Sequence, residues 1–260
     1  MTVQLPIGER PELLRMSRVG KTFGGGVVAL KDMDLKVGQG DFISLLGPSG
    51  CGKSTALRLI SGLMTATAGA VRWKGDHDTG DLGVVFQEPT LMPWATVAQN
   101  VWLPMRLRGQ AFASVADDIT RTLGLVGLDG FADAYPRELS GGMKMRVSIA
   151  RALVTKPRLI LMDEPFAALD EITRFKLNND LLAMKAQIGC TVIFVTHSVF
   201  ESVFLSDRIV VMAARPGRVI RELQVDQPYP RDEAFRTSAE YAAYCRETSD
   251  ALHVAMGEAA

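Results

Sequence analysis

The nine residues GPSGCGKST, from Gly47 to Thr55, leave this chain few folds to choose from. Gly47, Gly52, Lys53 and Ser54 keep the spacing G-x-x-x-x-G-K-[ST]. The apolar run Phe42-Ile43-Ser44-Leu45-Leu46 precedes it, and Leu57, Ile60 and Leu63 follow at helical spacing. Strand, glycine loop and helix therefore stand in the order of a phosphate-binding loop. Glycines let the backbone close until successive N–H groups turn onto an anion, and the following helix adds its positive end. In that reading Gly47, Pro48, Ser49, Gly50, Cys51, Gly52, Lys53, Ser54 and Thr55 cradle a nucleoside triphosphate. Lys53 neutralises the β- and γ-phosphates, and the Ser54 hydroxyl holds Mg²⁺. A chance glycine-rich turn would need neither flanking element. Cys51 lies inside the loop, so alkylating its thiol is expected to inhibit turnover and nucleotide to protect it.

Composition narrows what such a loop can serve. The 29 basic and 29 acidic residues cancel, so no whole-chain field draws in nucleic acid, which is not an expected partner. Cys51, Cys190 and Cys245 are odd in number and form no CxxC, as reduced thiols do rather than a disulfide frame or zinc site. The start, MTVQLPIGER, has no apolar signal core, and no stretch approaches 18 consecutive apolar residues. The chain is expected neither to be secreted nor to span a membrane, so any membrane role comes through a partner.

Residues 1–11 read as a loose tail. From Leu13 to Val37 strands are broken by Gly24-Gly25-Gly26, and Asp32 to Val37 alternates polar and apolar as a half-buried antiparallel strand does. Short apolar runs at 83–86, 159–162 and 191–195, the last two separated by a helical segment at 171–187, predict a parallel sheet covered on both faces. Residues 88–157, rich first in proline and then in helical patterns, read as an inserted helical subdomain. Residues 12–87 and 158–225 form the nucleotide-binding α/β core, with two strands around the turn Arg215-Pro216-Gly217. The extension 226–260 ends in a helix. Four apolar strands each end on a residue suited to phosphate chemistry: Leu46 leads into the loop, Phe86 into Gln87, Met162 into Asp163-Glu164, and Thr196 into His197. In an open parallel sheet, ligands bind at the carboxyl ends of the strands, which predicts one shared crevice.

Asp163 follows its strand about 110 residues after Lys53, where a phosphate-loop ATPase places the carboxylate of its Mg²⁺ shell. Glu164, one residue further on, is placed to face a water in line with the γ-phosphate. His197 directly follows a strand, from which a neutral imidazole can fix the geometry at that phosphate. His77 and His253 lack such a setting and read as surface residues. Ser140-Gly141-Gly142 opens a helix with Met143, Val147, Ala150 and Val154 on one face and Lys144, Arg146 and Arg151 off it. Ser140 is a favoured helix cap in any case. The adjacent glycines and basic helix suggest a second anion site.

With these segments quoted, the sequence resembles the ATP-binding cassette family of transporter ATPases from about Leu13 to Val225. GPSGCGKST resembles the family's Walker A loop, Gln87 its Q-loop, LSGGM its signature and LILMDEP its Walker B strand. Ala168-Leu169-Asp170 resembles the D-loop, and His197 the switch histidine. The resemblance implies a P-loop NTPase (RecA-like) α/β core with an N-terminal antiparallel β subdomain and an inserted α-helical subdomain. It implies ATP and Mg²⁺ as cofactors. Glu164, His197 and Gln87 would be catalytic, with Ser54, Gln87 and Asp163 around the metal and Phe23 stacked on adenine. It also implies a head-to-tail dimer, in which Ser140, Gly141 and Gly142 of one copy close on the ATP of the other and Asp170 lies at the junction. Two opposed sites and a metal enclose a polyanion away from water better than one helix end can.

The pattern departs from the family at Met143 and Met145, where glutamines are usual, at Ala167 and Ala168, where a serine is common, and at Ser198, where aspartate is frequent. None of these removes a phosphate or metal ligand. Met143 with LMPWATVAQNV, EPFAALD and VVMAARPGRV resembles the branch of nitrate, sulfonate, taurine and thiamine-precursor importers. That implies an ATPase on the cytoplasmic face of the inner membrane, bound peripherally to integral permease subunits and served indirectly by a periplasmic solute-binding protein. Leu91, Met92, Pro93 and Trp94 would help receive a permease helix. The alternative is a cassette ATPase not coupled to transport. One cassette per chain argues against a translation factor, the short insert against a repair protein, and the lack of NKxD against a GTP switch. The transported solute is not encoded in these motifs.

Overall fold

The computed structural model describes residues 10–76, 78 and 80–257. They fall into two compact units, one comprising 78–189 and the other the chain before and after it. Most of the expected tail, and His77, lie outside the described residues.

In the flanking unit, β1 (Glu12–Thr22), β2 (Val28–Gly38) and β4 (Ala68–Trp73) form a three-stranded antiparallel sheet in the order β2-β1-β4. Met33, Leu35 and Val37 are buried while Asp32, Asp34 and Lys36 are exposed, so the alternation in the sequence is the alternation of the sheet. Four strands make the second layer. β3 (Phe42–Leu46) lies between β7 (Thr191–Thr196) and β8 (Arg208–Ala213), parallel to both, and β9 (Arg218–Gln224) closes the edge antiparallel to β8. Every residue of β3 and β7 is buried, as expected of strands covered on both faces.

Helix α1 spans Lys53–Ile60. The sequence pattern carried it to Leu63, but the chain turns at Ser61-Gly62, where Gly62 has φ 73°, and Leu63 is 69% exposed. Later in the unit come α6 (Val199–Leu205), α7 (Glu233–Arg236) and α8 (Ala239–Gly257). Helix α8 packs on β8 and α6. His253, on α8, is exposed as expected. A buried ion cluster fastens the starts of β3 and β8: Arg10 Nη1 donates to Asp41 Oδ1 at 3.0 Å and Asp207 Oδ2 at 2.7 Å, and Phe42 N also donates to Asp207 at 2.8 Å. Buried charges of this kind persist only when paired and hydrogen-bonded.

The other unit pairs β5 (Leu82–Val85) in parallel with β6 (Leu159–Asp163). Its helices are α2 (Val97–Leu107), α3 (Phe112–Leu125), α4 (Gly141–Leu153) and α5 (Glu171–Ile188), with a 3₁₀ turn at Pro136–Glu138. The whole 88–157 stretch lies in this unit, together with both strands and α5. A reciprocal capping box between Thr96 and Gln99 starts α2. The stripe expected on α4 is shifted: Met143 is half-buried, whereas Met145 is 3% exposed and part of the core. Position 145, where the resemblance leads to a glutamine, is thus an apolar core site.

Candidate active site

In the flanking unit the register of β3 with β7 sets Leu46 opposite Thr196. Gly47 and His197, the next residue of each strand, therefore leave from adjacent strand ends. The loop after Leu46 tolerates little else than its own sequence. A Cβ on Gly47 would lie 2.5 Å from the Met212 carbonyl oxygen and 2.7 Å from Cys51 Sγ. Gly52 has φ 93°, and its Cβ would meet Leu30 Cδ2 at 2.6 Å. Helix α1 starts directly after Gly52 with no side-chain cap, so its positive end is directed into the loop.

Lys53 is buried, and its Nζ donates to the Gly47 and Pro48 carbonyls at 2.7 and 3.0 Å. The ammonium is thus folded back over the loop. Ser49, Gly50 and Ser54 are exposed on the same segment. Cys51 departs from expectation: its side chain is fully buried. Burial pushes its thiol pKa up, against the opposing pull of Lys53. The reactive thiol expected from its place in the loop is an inert core group. Phe23 is 38% exposed with Lys21 Nζ 5.6 Å from its ring centre, an open aromatic face rather than a core side chain.

His197 is exposed and precedes α6. Ser198, where aspartate is frequent in the family, caps that helix by accepting from Glu201 N at 3.3 Å. A serine serves this role as well as an aspartate.

In the other unit Val85 lies opposite Met162, so Gln87 and the pair Asp163-Glu164 follow adjacent strand ends. Gln87 is exposed, and both carboxylates are half-buried. Glu164 has φ 47°, a left-handed backbone uncommon for a side chain of its size. Ser140 is exposed and caps α4, accepting from Met143 N at 3.3 Å. Gly142 touches α5: its Cβ would lie 2.9 Å from Thr173 Cγ2. Asp170 caps α5, accepting from Thr173 N at 2.9 Å, and the hydrogen bonds from Thr173 hold its carboxyl below the usual range.

Two residues of this unit were not legible as site residues. Arg151 on α4 donates to the Pro89 and Thr90 carbonyls, both at 2.8 Å, and to Thr90 Oγ1 at 2.9 Å. It thereby ties the helix of Ser140 to the segment after Gln87. Buried Asn100 bonds Met92 N and the carbonyls of Met92, Ala95 and Thr96 at 2.8–3.2 Å. It shapes the loop that leaves Trp94 76% exposed. Between β5, α2 and α4 lies a cavity of about 510 Å³ lined by Phe86, Leu103, Pro104, Leu107 and Arg151. Among the described residues no cluster of three or more His, Cys, Asp or Glu could by itself hold a metal ion, and no helix is long and apolar enough to cross a membrane.

The family described as ABC transporter matches residues 30–167. The nitrate import ATP-binding protein NrtD of Synechocystis is 41% identical, over 93% of this chain and 94% of its own. The aliphatic sulfonates import ATP-binding protein SsuB 1 of Pseudomonas savastanoi is 45% identical, over 85% of this chain and 90% of its own. Among solved structures, an ATP-binding cassette described as a dimer in a post-hydrolysis state, bound to ADP and phosphate, has a TM-score of 0.72. It is 33% identical, over 83% of this chain and all of its own.

Proposed function

This chain belongs to the ABC transporter family as an ATP-binding, ATP-hydrolysing subunit, and from that premise we propose that it powers an importer of a small solute of the nitrate or sulfonate kind. It works as a head-to-tail pair, held peripherally at the cytoplasmic face of the membrane by permease subunits, which a periplasmic binding protein supplies.

The observation that carries the catalytic part is the β3–β7 register, which sends the glycine loop and His197 out from neighbouring strand ends. Lys53 exchanges its two carbonyl partners for the β- and γ-phosphates, and the N–H groups at the start of α1 take the remaining charge. Ser54, Asp163 and Gln87 would offer Mg²⁺ the hard oxygen donors it prefers. Magnesium takes few protein ligands when phosphates supply the rest. When bound, the ion offsets charge on the phosphate oxygens. Glu164 accepts the proton of the attacking water, His197 orients the γ-phosphate, and Phe23 receives the adenine. Ser140, Gly141 and Gly142 close on the ATP of the other copy, with Asp170 holding the helix beside them. Hydrolysis leaves ADP and phosphate as like charges facing each other, and the pair opens.

The exposed Trp94, the Asn100-organised loop and the cavity beside Phe86 support docking of a permease segment there. Co-expression with a candidate permease, co-purification, and solute-stimulated ATPase in liposomes test the proposal. Trp94→Ala is expected to leave basal hydrolysis within about twofold and to abolish most of the stimulation, as loss of a central aromatic anchor does. A chain that never co-purifies and hydrolyses ATP at its full rate alone is a cassette ATPase without a transport partner.

A further inference from the structure

We infer that Arg231, in the C-terminal extension, is a positioning residue for His197 and acts through helix α6. The inference rests on the reading that His197 serves hydrolysis.

Helix α6 is seven residues long, too short to hold its own geometry. Its carboxyl end leaves several carbonyls without intrahelical partners, and the extension provides donors for them. Arg231 is 4% exposed. Its Nη1 donates to the carbonyls of Val203, Phe204 and Ser206 at 3.0, 3.0 and 2.9 Å, and Tyr229 Oη donates to Leu205 O at 2.8 Å. The guanidinium is a fork of five donors. Its other branches bond Val225 O at 3.2 Å and Gln227 O at 2.8 and 3.1 Å, so the clamp is anchored to the chain leaving β9. Tyr241 Oη on α8 reaches Phe200 O at 2.9 Å, and the Arg236 guanidinium lies 3.7 Å from the Phe204 ring centre.

The other end of α6 leads to His197. Glu201 is buried and accepts from Thr196 Oγ1 at 2.5 Å, while Ser198 N donates to that same Oγ1 at 3.0 Å. The residues on either side of His197 are thus fixed to the first turn of α6, as the last turn is fixed to Arg231. Favourable charge at a helix carboxyl end would explain an arginine there. It would not explain one that is buried and bonded to the carbonyls of Val203, Phe204 and Ser206 together. A helix held at one end by the extension and at the other by the histidine turn moves both together. The extension therefore sets where the imidazole sits.

The test uses the full chain with Arg231→Met, Arg231→Lys, Tyr241→Phe and His197→Ala, read by steady-state Mg-ATPase and by the imidazole resonances, that of His197 assigned by its loss in His197→Ala. Arg231→Met is expected to lower kcat about tenfold with KM for ATP within about twofold, the cost of a small misplacement of a catalytic group. Its His197 resonance should shift, and Arg231→Lys should recover part of both effects. In the double variant with His197→Ala, Arg231→Met should cost nothing further. A folded Arg231→Met chain with normal kcat and an unmoved His197 resonance would overturn the inference. If that variant does not fold, Tyr241→Phe decides. A shift of His197 with kcat reduced about two- to threefold, in line with loss of one hydrogen bond, supports the clamp, and no change overturns it. Full turnover by His197→Ala would sink the catalytic reading of that histidine alone, and the resonance shift would still decide whether Arg231 positions it.

Discussion

Glu164 and Cys51 show how differently two residues of the expected site are treated by the fold. Glu164 sits at the end of β6 with φ 47°, and the local cost of that backbone is borne by the strand and turn around it. Replacing it by Gln keeps shape and hydrogen bonding but removes the proton acceptor. Phosphate release is expected to slow by roughly a few hundredfold while nucleotide binding persists, the range of a lost general base. Near-normal turnover would remove Glu164 from that role. Cys51 behaves oppositely. Its burial and raised pKa mean less thiolate at neutral pH than a free cysteine has, with reactivity increasing only as pH rises toward the shifted value. Maleimide labelling of the native chain at pH 7 should therefore be slow with or without ATP, and fast once the chain is unfolded. Rapid native labelling at Cys51 would contradict the buried geometry. The motif spacing placed Cys51 in the loop correctly, but spacing says nothing about which way a side chain points.

At the scale of elements, the sequence was most informative where burial is extreme. β3, β6 and β7 read as uninterrupted apolar runs because both faces are covered, and β2 read as an alternation because one is. β4 was missed. Its residues, AGAVRW, are exposed or half-buried throughout, so neither period marks them and only pairing with β1 makes a strand. Chain order does not fix strand order, so the adjacency of β3 and β7 came only with the fold. That Gly47 and His197 leave carboxyl strand ends was foreseeable from the motifs. The clamp of Arg151 on Pro89 and Thr90 was not, because it joins residues about 60 apart through an arginine that helical spacing assigned to the exterior. Arg151→Met should cost about 0.5–1.5 kcal/mol in urea unfolding, since it removes hydrogen bonds whose acceptors are exposed or part-buried. Amide exchange should rise at residues 88–92. Unchanged exchange there would mean that the segment is held by something else.

For the whole molecule, the decisive expectation is that catalysis needs two copies. Ser140 is exposed at the start of α4, as is Gly141 beside it. Ser140→Arg, placed in the Glu164→Gln background so that ATP is retained, should abolish the ATP-dependent dimer in light scattering. Binding of ATP by single chains should continue, and in the otherwise native chain hydrolysis should fall to background. A persisting dimer with full activity would place the second half of the site elsewhere. The paired architecture is what the family resemblance implies, whereas the contribution of residues 226–257 did not show in any motif. Arg231 lies in a proline-rich stretch that resembles a linker, and its role depends on the carbonyls of a helix about 25 residues earlier.

The folded-back Lys53 has a consequence for selectivity. Its positive charge is already accommodated by Gly47 and Pro48, so an incoming nucleotide gains only the difference between old and new acceptors. Adenosine has no phosphate to offer in that trade and leaves the lysine where it is. Discrimination by tail length then arises from a swap of partners inside the loop, without any group that measures the tail.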